Sequence, residues 1–280
     1  MSKKKKKLLI FGIILLVLSL LSAWGFSMKP VNYSISTPRL KTGVRIVFIS
    51  DLHNCFYGGT DQSGLLDEIH EADPDIVIFG GDVIDAWGGT KHALKLMTVL
   101  SHEYPCFYTP GNHEELRDDT EEFYKEVQGI CPVLMGDFAE TVVNGETVRI
   151  YGVLDSVERG AHKTQLEECF DTLDGNYYNI LLAHQPEQID AYLGEGLNNS
   201  ENFDLILSGH AHGGQWRLPK LLDQGLYAPD QGIFPDYTTG MYEYGDTTHI
   251  ISRGLARPMR MIFIPRIFNR PELSVIDINR

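Results

Sequence analysis

Four cysteines in 280 residues (Cys55, Cys106, Cys131 and Cys169) are too few to build a disulfide scaffold, and a chain this long can bury a core without one. Three pairings are open to them, as is the fully reduced state. Internal repeats are lacking, and the only low-complexity block is Lys3–Lys7, so the composition excludes a solenoid. Positive charge is scarce: 24 Lys and Arg stand against 38 Asp and Glu, a formal net charge of −14, and five of the lysines sit in that one block. General affinity for nucleic-acid backbones needs basic surface, so no nucleic-acid partner is expected.

Charge of either sign is missing from Leu8 to Phe26, a run of 19 residues directly after the lysines. At about 1.5 Å per helical residue it nearly covers the ~30 Å hydrocarbon core of a bilayer. The lysine block places the N-terminus on the cytoplasmic side. Ala23-Trp24-Gly25 also offers signal-peptidase spacing, but the apolar run exceeds the ~7–15 residues of a cleavable signal. The expected organisation is therefore a basic cytoplasmic tail over 1–7, a transmembrane anchor over 8–26, and a linker with a first strand over 27–42. A single domain follows over 43–280, extracytoplasmic and held at the cell membrane by one pass.

What the chain does have is a series of ligand-type residues where apolar, strand-like runs give way to Gly or a turn. They are Asp51-Leu52-His53, Gly81-Asp82-Val83-Ile84-Asp85, Gly111-Asn112-His113-Glu114, Ala183-His184, and Gly209-His210-Ala211-His212. Each alone has a bland explanation. Asp-x-His is commonly a surface turn, Gly-Asp a helix cap, Asn-His-Glu a helix start, and a strand-end histidine a solvated imidazole. Those explanations do not account for the ordered set. Carboxylate, amide and imidazole ligands together suit two divalent cations such as Mn, Fe, Zn or Mg, about 3.5–4 Å apart and joined by a bridging carboxylate. Asp82, after Ile76–Phe79 and Gly80-Gly81, is the candidate bridge. His70, His92 and His102 fall in charged helical stretches, and His162 and His249 lack a Gly-flanked strand end, so all five are left out.

On these five blocks the chain resembles the calcineurin-like metallophosphoesterase superfamily (D-x-H, G-D-x-x-D, G-N-H-[ED], a lone H, G-H-x-H), from about Val44 to the C-terminus. The resemblance implies one metal held by Asp51, His53, Asp82 and His212, and another by Asp82, Asn112, His184 and His210. It makes His113 the substrate-facing catalytic histidine and Asp85 the carboxylate that orients it. It also implies a four-layer α-β-β-α sandwich, a mixed α/β fold of two mixed sheets flanked by helices. Gly209–Gln215, Ser252-Arg253-Gly254-Leu255 and Arg270-Pro271-Glu272-Leu273 are similar to a membrane-associated bacterial branch. That branch includes phosphodiesterases and enzymes likened to UDP-diacylglucosamine hydrolases. Ala211 departs from its common Thr, at a position that need not bind metal.

Local patterns agree with such a fold. Val44–Ser50, Ile76–Phe79, Cys106–Thr109, Asn179–Ala183 and Asp204–Ser208 read as strands, and Gly64–Ala72 and Lys91–Leu100 as helices. Asn144-Gly145 between Phe138–Val143 and Thr147–Tyr151 predicts a hairpin. Gly240–Tyr244, His249–Ser252 and Leu273–Ile278 read as extended. Arg253, Arg257, Arg260, Arg266 and Arg270, with no acidic residue between Asp246 and Glu272, suggest either a face for anionic lipid or a buried strand with solvated arginines. The implied function is a dinuclear metal-dependent phosphohydrolase. In it a metal-bound hydroxide attacks a phosphodiester or pyrophosphate of an envelope or lipid-linked substrate. A phosphomonoesterase or protein phosphatase, and a non-catalytic sensor of phosphate ligands, are the alternatives.

Overall fold

The computed structural model describes residues 3–24, 27–154, 159–195, 201–257 and 266–280; for residues 8, 14–16, 18–24 and 159–161 it describes the backbone alone. In chain order the first elements are helix α1 (Lys3–Trp24), strands β1 (Lys29–Ser36) and β2 (Val44–Ile49), α2 (Ser63–Ala72) and β3 (Ile76–Gly80). Next come α3 (Lys91–Ser101), β4 (Cys106–Thr109), α4 (Asn112–Glu115) and α5 (Thr120–Gln128). The hairpin β5 (Asp137–Val143) and β6 (Glu146–Val153), α6 (Arg159–Asp171), β7 (Tyr178–Ala183), α7 (Ile189–Tyr192) and β8 (Leu205–Ser208) follow. The chain closes with β9 (Tyr227–Ala228), β10 (Gly232–Ile233), β11 (Gly240–Tyr244), β12 (Thr247–Ile251) and β13 (Glu272–Asn279).

Two mixed sheets result, one ordered β1-β13-β2-β3-β4 and the other β11-β12-β8-β7-β6-β5. Parallel pairing runs through β2-β3-β4 and through β6-β7-β8-β12, with antiparallel strands at β13 against β2, β5 against β6 and β11 against β12. Alternation of side chains along each strand divides the core in two. Ile46, Phe48, Ile76 and Ile78 point at Val148, Ile150, Ile180 and Leu182 of the second sheet. Their neighbours Val47, Ile49, Val77 and Phe79 pack under α2, α3 and α5. On the far side Leu166 and Phe170 of α6 and Tyr192 of α7 cover Tyr151, Leu181 and Ile206. Helices, sheet, sheet and helices thus form four layers, as the resemblance implied.

Asn144 and Gly145 both take positive φ, 50° and 83°, which gives the turn that matches hairpin twist. Two points differ from expectation. The strand foreseen within 27–42 is an edge of the first sheet, parallel to β13, so the folded unit takes in Lys29–Ser36. Helices α5 and α6 went unread: α5 buries Phe123, Tyr124 and Val127 from only nine, mostly polar residues, and the apolar residues of α6 form no regular stripe along its length. The four cysteines, whose state the sequence left open, are all buried thiols with no disulfide among them. Helix α1 covers most of the expected span 8–26, whose residues 25 and 26 lie outside the described ones. Among the described residues no helix is long and apolar enough to cross a membrane.

Candidate metal centre

The parallel strands decide where the chemistry gathers. Asp51 follows β2, Asp82 follows β3, Asn112 follows β4, His184 follows β7 and His210 follows β8, so five C-terminal strand ends meet at one edge of the two sheets. The backbone turns sharply there: Asp51, His53, Asp82, His210 and His212 all have φ between 47° and 65°. Left-handed φ is uncommon outside glycine, and such strain clusters at functional sites. It is held by bonds that extend the β2–β3 pairing past the strands, Asp51 N to Gly81 O and His53 N to Asp82 O. Gly81 is obligatory, because at its φ of 86° a Cβ would sit 2.6 Å from His184 Nδ1. Gly254 is equally constrained, since a Cβ there would lie 2.4 Å from that of Asp51.

Ligand-type atoms among the described residues fall into four groups, of which three adjoin Asp82: Asp51, His53 and His212; Asp82, His184 and His210; and His53, Asp82 and His113, with Glu187, His210 and Asp230 at the outer side. Asp82 Oδ2 lies where those three meet, 3.2 Å from His184 Nε2, 3.8 Å from His53 Nε2 and 4.0 Å from His113 Nε2. Its other oxygen accepts the His113 backbone N–H at 2.9 Å. Asp51 is held likewise, Oδ1 accepting the His210 N–H at 2.9 Å.

Hydrogen bonding fixes the imidazoles. His184 Nδ1 donates to Gly80 O at 2.7 Å, His53 Nδ1 to Asp85 at 2.8 Å, and His210 Nε2 to Asp230 at 2.9 Å. Each ring thereby turns its other nitrogen inward: at Asp82 for His184 and His53, and at Asn112 Oδ1, 3.0 Å away, for His210. A ring nitrogen can face a carboxylate or amide oxygen in two ways, with a proton between them or, as a lone pair, with a cation between them. Asp51 Oδ2 and His53 Nε2 are buried and make no hydrogen bond among the described residues. Outer nitrogens held by oxygen acceptors and inner nitrogens aimed at shared carboxylates are what divalent cations require. The residues present fit two of them.

The electrostatics follow the same logic. Burial alone would raise the Asp82 carboxyl, yet the imidazoles of His184, His113 and His53 outweigh it and hold it well below the usual carboxylate range. Asp85 is likewise depressed against its burial by hydrogen bonds from His113 and His53. Burial lowers His113, but the Asp85 hydrogen bond and the charges of Asp82 and Asp85 push it up to about 9. Burial, then the charges of His53 and Arg266, hold His212 far below its ordinary value and so in the neutral, ligating form.

The sequence profile of the calcineurin-like phosphoesterases matches residues 44–214. The chain belongs to that family. It is 31% identical to the protein YpbG of Bacillus subtilis over 71% of this chain and 73% of that one. To a metallophosphoesterase of Helicobacter pylori it is 28% identical over 76% of this chain, and it spans 54% of that longer relative. A solved structure from Thermus thermophilus is 14% identical with a TM-score of 0.49, covering 78% of this chain and 92% of that one.

In this calcineurin-like chain all nine residues singled out from the sequence converge. His70 instead pairs with Glu103 at the surface, and His249 is buried against Ser208 Oγ, where burial pushes it down to about 3. Asp85 differs in detail from its expected part: it lies 2.8 Å from His53 and 3.4 Å from His113, so it orients both rings. Glu114 belongs to a motif that assigned it no role. It is buried and accepts the backbone N–H groups of Asp82, Gly111 and Ile84, tying the β3 and β4 turns together. Asp230, in the tight turn between β9 and β10, carried no signal; Pro229-Asp230-Gln231 reads as any surface turn. Asn269, which donates to His212 O at 2.6 Å, was equally silent.

Of the five arginines in the basic stretch, the four described ones are engaged by the protein itself, while residues 258–265 between them lie outside the described ones. Arg266 is fully buried and donates to Arg253 O, and Arg253 bonds Thr239 and Glu272. Arg257 lies over the Tyr57 ring, Arg270 holds the carbonyls of Ser27 and Met28, and Arg260 lies outside the described residues.

Proposed function

We propose that this protein is a membrane-anchored, dimetal phosphohydrolase that cleaves phosphodiester or pyrophosphate bonds in an envelope or lipid-linked substrate. The observation that carries the chemistry is the inward aim of three imidazoles at Asp82 and Asn112, each fixed from behind by an oxygen. Two divalent cations bound there would neutralise charge on the phosphoryl oxygens and supply a nucleophile near neutral pH.

The protein's own groups do the rest. Asp82 presents one oxygen to both ligand groups, while the His113 amide fixes the other. His113, partly open to solvent and held by Asp85, keeps its proton near neutral pH and is placed to deliver it from Nε2 to the departing oxygen. Its ring meets that of His53 edge-on at 4.6 Å, which limits its swing.

Support for the anchor comes from the uncharged run of the sequence and from the apolar side chains that α1 leaves exposed, since the described helix by itself falls short of a span. Leu9, Ile10, Phe11, Ile13 and Val17 are all exposed on that helix, and five lysines precede its apolar run. Location outside the cytoplasm follows from that charge bias. Hydrolysis of bis- against mono-p-nitrophenyl phosphate by metal-loaded protein tests the substrate class. A diesterase prefers the first; strong preference for the second would make the protein a monoesterase, and binding without turnover a sensor.

A further inference from the structure

Six large apolar side chains are exposed within one short segment: Trp216, Leu218, Leu221, Tyr227, Ile233 and Phe234, with Leu221 at 77% and Ile233 at 68%. The segment begins four residues after His212, and it is built rather than loose. Leu222 N bonds Leu218 O in a tight turn, Leu226 N bonds Gly214 O, and Tyr227 pairs with Ile233 across the β9–β10 ribbon. The same ribbon carries Asp230, whose carboxylate holds His210. An apolar cluster of this kind at the mouth of a site marks an interaction surface.

Its position says what covers it. Trp216 bridges to Ile267, Arg217 N bonds Ile267 O, and Ile267 N bonds Gln215 O. Three residues on, Arg270 grips the carbonyls of Ser27 and Met28 at 2.9 and 2.7 Å. Ser27 follows Trp24, the end of α1, by three residues, a reach of at most about 10 Å. The apolar segment therefore lies beside the point where the domain leaves α1. Charge does not draw it to an anionic surface, since within the segment Arg217 and Lys220 are balanced by Asp223 and Asp230.

We propose that the segment Trp216–Phe234 dips its apolar side chains into the bilayer next to the N-terminal helix, seating the metal centre against the lipid surface. This rests on the anchor reading above. It narrows the substrate to phosphoesters displayed at that surface, within reach of a site whose rim is immersed. Attachment is by apolar contact, so neutral phosphatidylcholine suffices and salt does not release it.

The test uses the full chain in phosphatidylcholine vesicles whose brominated acyl chains quench tryptophan on contact. Trp24→Phe, Trp87→Phe and Trp216→Phe remove the native indoles, and one reporter is added, either Leu221→Trp or Val142→Trp. Val142 is exposed in the β5–β6 hairpin, whose Asn144 bonds Gly43 O at the opposite end of the sheets. Quenching at 221 roughly threefold or more above that at 142, unchanged by salt, supports the proposal. Ile233→Trp repeats the readout should Leu221→Trp fold poorly. Equal quenching at both positions in a chain that resists carbonate extraction overturns the proposal while the anchor stands. If carbonate releases the chain, the anchor reading fails, and quenching on simple addition to vesicles then supports or overturns the proposal by itself. Protection of position 221 by dimerisation without lipid contact also overturns it, in favour of a second copy.

Discussion

The two sheets do unequal work at the metal centre. From the first come the oxygens, Asp51, Asp82 and Asn112, with the single imidazole of His53; from the second come only imidazoles, His184, His210 and His212. The two carboxylates are held by backbone amides, whereas imidazoles need an acceptor behind them, and supporting bonds cross the divide. His184 leans on Gly80 O of the first sheet, and the His210 amide grips Asp51. Neither sheet carries a site alone, and each needs the other to aim its ligands.

The largest test of that asymmetry is Asp82→Ala. It removes the one oxygen both ligand groups share, so metal content and activity should fall together, the latter on the order of 10³-fold or more. Mass-spectrometric metal counting alongside turnover decides it; retention of two ions would show that Asp82 does not join the halves. His113→Ala, close by but at the mouth, should keep the metals and lose roughly 10²–10⁴-fold in turnover. Parallel loss of metal there would make His113 a ligand instead of a proton donor.

Stability separates the turns from the ligands. Glu114→Ala leaves three buried N–H groups without an acceptor, each worth about 1–3 kcal/mol, partly offset by relief of its repulsion with Asp82. A loss of about 3 kcal/mol in urea unfolding of metal-free protein is expected. A change below about 0.5 kcal/mol, the size of an ordinary surface substitution, would mean water replaces the carboxylate freely.

The smallest effect concerns protons. His113 is raised to about 9 in the folded state against about 6.5 when unfolded, so its stabilisation is complete below about 6.5 and is lost as pH rises through about 9. Metal-free wild type should therefore melt above His113→Gln near pH 6, with the gap closing by about pH 9.5. A gap that stays constant across that range would sink the assignment.

Much of this site could be read from the chain because its parts obey local rules. Ile76–Phe79 must be a buried strand, so Asp82 has to emerge at its end; the same holds for His184 after Ile180–Ala183. What escaped reading was whatever depends on distant partners. Asp230 matters only because folding carries an ordinary turn to His210. Arg266 looked like surface charge in sequence and is fully buried, because long-range packing of the C-terminal stretch encloses it. Cysteine pairing was equally illegible, since it hangs on distances that no spacing encodes.

Strand β13 sits between β1 and β2, and β1 has no other partner in its sheet. Until residues 272–279 have been synthesised, the first sheet stays in two unjoined pieces. A nascent chain therefore completes the first sheet only after residues 272–279 have left the ribosome. Until that last strand arrives, the facing edges of β1 and β2 stay unpaired, open to any other strand that reaches them first.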